Sequence, residues 1–280
     1  VKRPTVVNMS WGYLQVYNSV TSVNYKGTSY SDSNTTSDAS YRNTNYGIRN
    51  LSGLAYGGTY VCNVRYTSVD TDVQEMLDAG IIVCIAAGNR GFKIDLPNGD
   101  NYNDYMVTNT GTLYYQRGSS PNDSDAFIVG NIDSTTFNAG ADQKATSSEA
   151  GPGVNIWASG TSIMSCTSNT NRFTDAAYNF NSSFRQCNIG GTSMASPQVA
   201  GVAALVLQMN PSWRPEQVKE YLLNVSDEAI YSTNLTEDWS NSRSLLGSNQ
   251  TVLFSPFKDE FAAKVRGLSN SNINIRIKQI

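Results

Sequence analysis

Histidine is absent from all 280 residues. That absence excludes an imidazole base anywhere in the chain and every metal site that uses His. Cysteine is sparse: Cys62, Cys84, Cys166 and Cys187 are too few to staple so long a chain, and no CxxC pair suggests a zinc ribbon. An excess of either charge is also missing. Twenty Lys and Arg face 23 Asp and Glu, a formal net charge of −3 without any like-charge block, so nucleic acid is not an expected partner. Long apolar runs are missing too. Ala79–Ala87 and Val199–Met209 fall short of the ~20 residues of a spanning helix, so no membrane span is expected. No signal-peptide pattern opens the chain, and Val1 in place of Met suggests a processed or excised product.

What is present organises into a few apolar segments on a background of Ser, Thr, Asn, Gly and Tyr. Thr5–Ser10 is short and β-branched, which predicts a buried strand ending at Trp11-Gly12. Val73, Met76 and Leu77 fall at helical spacing. Ala79-Gly80 breaks that helix, and Ile81–Ala87 reads as a fully buried parallel strand, together half of a βαβ unit. Met194–Gln208 predicts a helix apolar on nearly every side and hence buried on nearly every side. Pro215 opens a second, amphipathic helix through Val218, Leu222 and Leu223. Shorter strands are expected at Phe127–Val129 and Val154–Trp157, with a strand pair around Ser162–Cys166. This alternation predicts an α/β fold with a mainly parallel sheet.

Two polar stretches, about 14–61 and about 96–121, interrupt the pattern. Their turn residues are interspersed with Tyr, so they read as ordered surface insertions. A domain over 1–225 is expected, followed by an extension over 226–280. Within that extension, Phe254–Val265 and the alternating Ile273–Ile280 are the apolar parts.

Two motifs could carry chemistry. In Gly190-Gly191-Thr192-Ser193-Met194-Ala195-Ser196-Pro197, paired glycines admit a close backbone approach and Ser193 stands where a helix begins. Free N–H groups and the helix dipole there favour developing negative charge. The plainer reading is a glycine turn with Ser193 as an N-cap. Ala86-Ala87-Gly88-Asn89 follows the buried strand, at the edge where parallel sheets place ligands. Asn89 could donate to an oxyanion, or simply close a turn.

With Val6-Val7-Asn8-Met9-Ser10-Trp11-Gly12, these segments resemble the subtilisin-like serine peptidases, the subtilases. GTSMASP with QVAGVAALVLQMNP is similar to their nucleophile segment and buried helix. AGIIVCIAAGN is similar to their oxyanion strand, and VVNMSWG to the strand lining their substrate cleft. The resemblance implies a three-layer fold with helices on both faces of the sheet. It implies Ser193 as nucleophile and Asn89 as side-chain donor of the oxyanion hole. Ser10, Trp11 and Gly12 would pair with substrate backbone, and Ala86, Ala87 and Gly88 would wall the pocket for the residue before the cut. Those small neutral walls suit an apolar or unselective preference, with no acidic residue to invite Lys or Arg.

The departure from the family lies upstream. Its Asp and His precede the VVNMSWG strand, where this chain starts. The chain is therefore expected to be incomplete at its amino-terminal side. An amino-terminal fragment or second subunit would supply Asp and His, with a polypeptide as substrate. The alternative is a catalytically inactive subtilase-fold structural protein of a large assembly such as a phage virion, which the long Tyr/Asn/Ser/Thr-rich insertions suggest. The setting would be extracellular or virion-associated. An α/β-hydrolase esterase fails for want of a Gly-x-Ser-x-Gly elbow around Ser193. The sequence assigns no cofactor with certainty. The resemblance leaves room for structural calcium, although Asn155 stands where one family site has Asp, and for a Cys166–Cys187 disulfide.

Overall fold

The computed structural model describes residues 4–49, 60–133, 142–168, 170, 176–226, 229–231 and 235–255. Strand β1 (Val6–Met9) is followed by β2 (Leu14–Tyr17), β3 (Val20–Tyr25) and β4 (Thr28–Tyr30), helices α1 (Ser33–Ser37) and α2 (Ala39–Tyr46), and β5 (Tyr60–Asn63). Helix α3 (Thr67–Asp78) leads into β6 (Ile82–Ala86), β7 (Tyr105–Thr108), β8 (Gly111–Tyr114), β9 (Phe127–Asp133), β10 (Gln143–Lys144) and β11 (Ile156–Ser159). Strands β12 (Ile163–Thr167), β13 (Ala176–Tyr178) and β14 (Asn181–Ile189) precede helices α4 (Thr192–Met209) and α5 (Pro215–Asn224).

The central sheet runs β1-β6-β9-β11 in parallel, with the short β10 antiparallel on β9. Alternation along β6 decides which layer each side chain enters. Ile82 and Cys84 face α4 and α5 with Phe127, Val129, Val199, Ala203, Val206, Val218 and Leu222. Val83 and Ile85 face the other way, into a core with Val73 and Leu77 of α3 and Ile128 and Trp157. Helices thus cover both faces of a mainly parallel sheet, an α/β architecture in three layers.

Two expectations need correction. Helix α4 is apolar all round but buried on one face alone; Gly201, Ala204, Leu205, Gln208 and Met209 are exposed. Strand β1 is half-buried, with Asn8 exposed, because among the described residues it pairs with β6 only. Both observations have one physical cause: apolar character reports what a residue can bury, not whether a neighbour is there to bury it.

The two polar stretches meet in space. Strand β3 from the first pairs antiparallel with β7 from the second, Val23 opposite Met106, in a four-stranded sheet ordered β4-β3-β7-β8. This sheet, α2 and the β2-β5 pair enclose a separate core that includes Tyr17, Val23, Tyr46, Phe92, Met106 and Tyr115.

Residues after α5 pack back on the centre. Ile230, Trp239, Leu245 and Leu246 join the α3-side core. The backbone at 251–253 flanks β11: Trp157 N–H donates to Thr251 O at 2.9 Å and Leu253 N–H donates to Trp157 O at 2.7 Å. Glu237 ties this segment to the insertions, accepting from Tyr25 Oη at 2.6 Å, Lys26 Nζ at 2.9 Å and Lys93 Nζ at 3.2 Å. The alternating Ile273–Ile280 and residues 256–265 lie outside the described residues.

A single strand, β12, stands where a strand pair is expected, and it pairs antiparallel with β14, which carries β13 on its other side. Cys187 stands opposite Ser165 while Cys166 stands opposite Gln186, so the two thiols lie on opposite faces and both are free. The β12–β14 register therefore overrides the disulfide that the resemblance left open. Among the described residues no helix is long and apolar enough to cross a membrane.

Candidate active site

The site forms where the loops after β1 and β6 meet the start of α4. These loops lie at the carboxyl ends of parallel strands, so they share one edge of the sheet. A cavity of about 220 Å³ opens there, lined by Ser10, Trp11 and Gly12 on one side and by Ala86, Gly88 and Asn89 on the other. Thr192 and Ser193 close its end. Ala87 does not line it. Strand alternation turns this residue into the α3-side core, which corrects the expectation of three consecutive wall residues.

The Asn89 amide is held in one orientation. Its Oδ1 accepts the Thr192 N–H at 2.8 Å and the Thr192 hydroxyl at 3.1 Å. Thr192 Oγ1 in turn accepts the Gly88 N–H at 3.1 Å. The acceptor end of Asn89 is thus spent, and Nδ2 makes no hydrogen bond among the described residues. Gly191 makes this approach feasible: its φ of +150° suits glycine, and a Cβ there would sit 3.2 Å from Asn89 Oδ1.

Ser193 is the second residue of α4. So early in a helix its N–H has no intrahelical acceptor, and it has no other partner among the described residues. Two uncommitted donors, the Ser193 N–H and Asn89 Nδ2, therefore belong to the same cavity. Ser193 Oγ donates to the Ser10 carbonyl at 3.3 Å, and Ser10 Oγ donates to the Ser193 carbonyl at 3.0 Å. Asn8 extends this lattice: its Nδ2 donates to Ser10 Oγ at 2.9 Å and its Oδ1 accepts from Ser196 Oγ at 2.7 Å. Main-chain carbonyls hold a hydroxyl but do not take its proton, so the described residues place no base on Ser193.

Three residues of this site escape sequence reasoning. Asn63, at the end of β5, and Arg90, in the turn after Asn89, both line the cavity. Glu149 is 0% exposed and lies directly behind Gly88, where a Cβ would come within 2.7 Å of its Oε1. Its N–H donates to Gly88 O at 3.0 Å, its Oε1 accepts from Asn63 Nδ2 at 2.7 Å, and its Oε2 has no partner. Burial pushes its carboxyl up to about 8. This carboxyl lies behind the wall and does not line the cavity, whose lining holds no acidic side chain, as expected. Nothing local in Ser148-Glu149-Ala150 signals this, because β5 and β6 bring its partners from 86 and 61 positions away (149 − 63 and 149 − 88).

Asn155 does not fit a calcium ligand. Its Oδ1 accepts from the Ile128 N–H at 3.0 Å and its Nδ2 donates to Ala126 O at 2.9 Å, so both ends serve β9 and the residue before it. Among the described residues no group of three or more Cys, Asp or Glu side chains is placed to hold a metal ion.

Comparison with known proteins adds the following. The model of the subtilase family matches residues 2–247. The chain is similar to "Serine protease AprX" of Bacillus subtilis, 34% identical over 164 residues, covering 56% of this chain and 32% of that protein. It is similar to "Subtilisin E" of the same organism, 32% identical over 156 residues, covering 56% of this chain and 31% of the relative. "Subtilisin Savinase" of Lederbergia lenta is 27% identical over 202 residues, covering 68% of this chain and 59% of its own length. Among solved structures, a cold-adapted subtilisin-like serine proteinase matches with a TM-score of 0.42 and 25% identity, over 69% of this chain and 52% of that one. The chain thus spans about a third of the length of the first of these relatives and about three fifths of the last.

Proposed function

Because the chain belongs to the subtilase family, we propose that it is the nucleophile-bearing part of a serine endopeptidase whose Asp and His come from outside it. The observation that carries this reading is the pairing of uncommitted donors, Asn89 Nδ2 and the Ser193 N–H, around a held Ser193 hydroxyl. In this reading Ser10, Trp11 and Gly12 pair with a substrate strand, while Ala86 and Gly88 flank the residue before the cut. Ser193 Oγ attacks the peptide carbonyl, and its proton passes to the supplied imidazole. The carbonyl oxygen becomes an anion between the two donors. Collapse expels the amine, which takes the proton from the imidazole, and water then releases the acyl group. The free side of β1 and the exposed face of α4 receive the partner segment. An extracellular setting belongs to the same reading.

The test is labelling by a fluorophosphonate. The chain alone should give none, because nothing activates the hydroxyl; residual oxyanion catalysis of ~10³–10⁴ over water is too slow for ready labelling. Addition of a polypeptide bearing the family's Asp strand and His helix should produce labelling that Ser193→Ala abolishes. A partner that binds the chain yet never brings labelling would favour the non-catalytic structural reading.

A further inference from the structure

The cavity beside Ser193 holds two polar side chains that the reaction does not use. Asn63 is nearly buried, and its Nδ2 is committed to Glu149, so its Oδ1 is left without a partner among the described residues. Arg90 lines the same cavity, and its guanidinium makes no hydrogen bond or ion pair among the described residues. An acceptor and a cation, neither hydrogen-bonded among the described residues, thus share a space of about 220 Å³, with the buried Glu149 as the electrostatic neighbour of Arg90. Uncommitted polar groups in a pocket lose their water when a ligand enters, and an apolar ligand returns nothing for it.

We propose that this pocket selects a primary carboxamide, the side chain of Gln or Asn, as the substrate residue before the cut, with Asn63 and Arg90 as its specificity-determining residues. The inference rests on the peptidase reading of the cleft and names its substrate class. A carboxamide answers both groups: its NH₂ donates to Asn63 Oδ1 and its carbonyl accepts from Arg90. A carboxylate would satisfy Arg90 but meet the Asn63 oxygen with a lone pair. An ammonium would satisfy Asn63 but meet the Arg90 charge. A thioether or alkyl chain would satisfy neither. Glu149 is a positioning residue here, since its Oε1 fixes which end of the Asn63 amide faces the cavity. Burial pushes its carboxyl up to about 8, so at neutral pH it does not offset Arg90.

Peptides with a free terminal carboxylate test this without turnover, because they fill the acyl side of the cleft as products. Four peptides identical except for a final Gln, Met, Glu or Lys are titrated calorimetrically into the chain at pH 7. The Gln peptide should bind about tenfold tighter than each of the others, the value of one to two hydrogen bonds. Arg90→Met, at a half-exposed site, should cut that advantage over the Met peptide several-fold while leaving the fold intact. Asn63→Ala should do the same and leave the Lys peptide weaker still. A Met peptide that binds as tightly as Gln, or an Arg90→Met protein with unchanged ranking, would overturn the carboxamide assignment and leave the peptidase reading standing. Absence of binding by all four would instead overturn the reading of the cleft itself.

Discussion

The two edges of the central sheet are built differently. On the β11 edge, Ile156, Trp157 and Ala158 are buried, and residues 251–253 run alongside with backbone hydrogen bonds on both sides of Trp157. On the β1 edge, Val6, Val7 and Met9 are only half-buried and β6 is the sole partner among the described residues. The Ser193 lattice hangs on this second edge, through Asn8 and Ser10. The chain has closed the edge remote from the site and left open the one beside it. An uncovered strand is a liability that proteins normally blunt, and in the proposed function the supplied segment covers it.

Substitutions should separate the edges by size of effect. The largest is expected at the closed edge. Trp157 is fully buried, its indole N–H donates to Asn249 O at 2.7 Å, and its ring packs against Gly130. Trp157→Ala should cost about 3–5 kcal/mol in urea unfolding. A cost under about 1 kcal/mol would mean that this edge is no better closed than the other.

Behind the loop after β6, Glu149 makes stability depend on pH. Its folded value, about 8, lies above the ordinary 4.5, so the native chain keeps a proton that the unfolded chain loses. Its stabilising contribution is complete below about 4.5 and is lost as pH rises towards 8, on the order of 5 kcal/mol. Glu149→Gln should remove that slope. Parallel pH profiles for the two proteins between 5 and 8 would show that the carboxyl is not held as described.

Nearer the open edge, Thr192→Val deletes the hydroxyl that bonds both Asn89 and Gly88. Stability should fall by about 1 kcal/mol, with peptide affinity down about threefold to tenfold as Asn89 loosens. The smallest effects belong to the bare surfaces. Val7→Lys and Leu205→Lys should each change stability by less than about 0.5 kcal/mol. A loss above 2 kcal/mol at Val7 would reveal cover on β1 that its half-exposed side chains do not suggest.

How much was legible in the sequence follows the range of the forces involved. The α3–β6 unit, α4, α5 and the meeting of residues 89 and 193 come from local periodicity and from motifs that contain their own context. The expectation for α4 failed on one face because periodicity cannot report a missing neighbour. Asn63, Arg90 and Glu149 were invisible because their roles depend on Asn63, at the end of β5, meeting Glu149 behind the loop after β6. The joining of two polar stretches into one sheet was hidden for the same reason. Pairing of β3 with β7 leaves no local trace beyond scattered Tyr, Val and Met.

The bonds from Glu237 have a consequence for how the molecule is made. Tyr25, Lys26 and Lys93 belong to the first hundred residues, and their shared acceptor lies 144 to 212 positions later. During synthesis the strand that ends at Tyr25 emerges long before Glu237 is translated. At ~5–20 residues per second, that wait lasts on the order of ten to forty seconds. Trp239, whose indole donates to Tyr25 Oη at 3.2 Å and whose ring packs against Gly47, follows two residues after Glu237. The Tyr-lined insertion is thus translated well before the segment that locks it. A nascent chain halted before residue 237 should remain open to protease within 14–49, and one released after 255 should not.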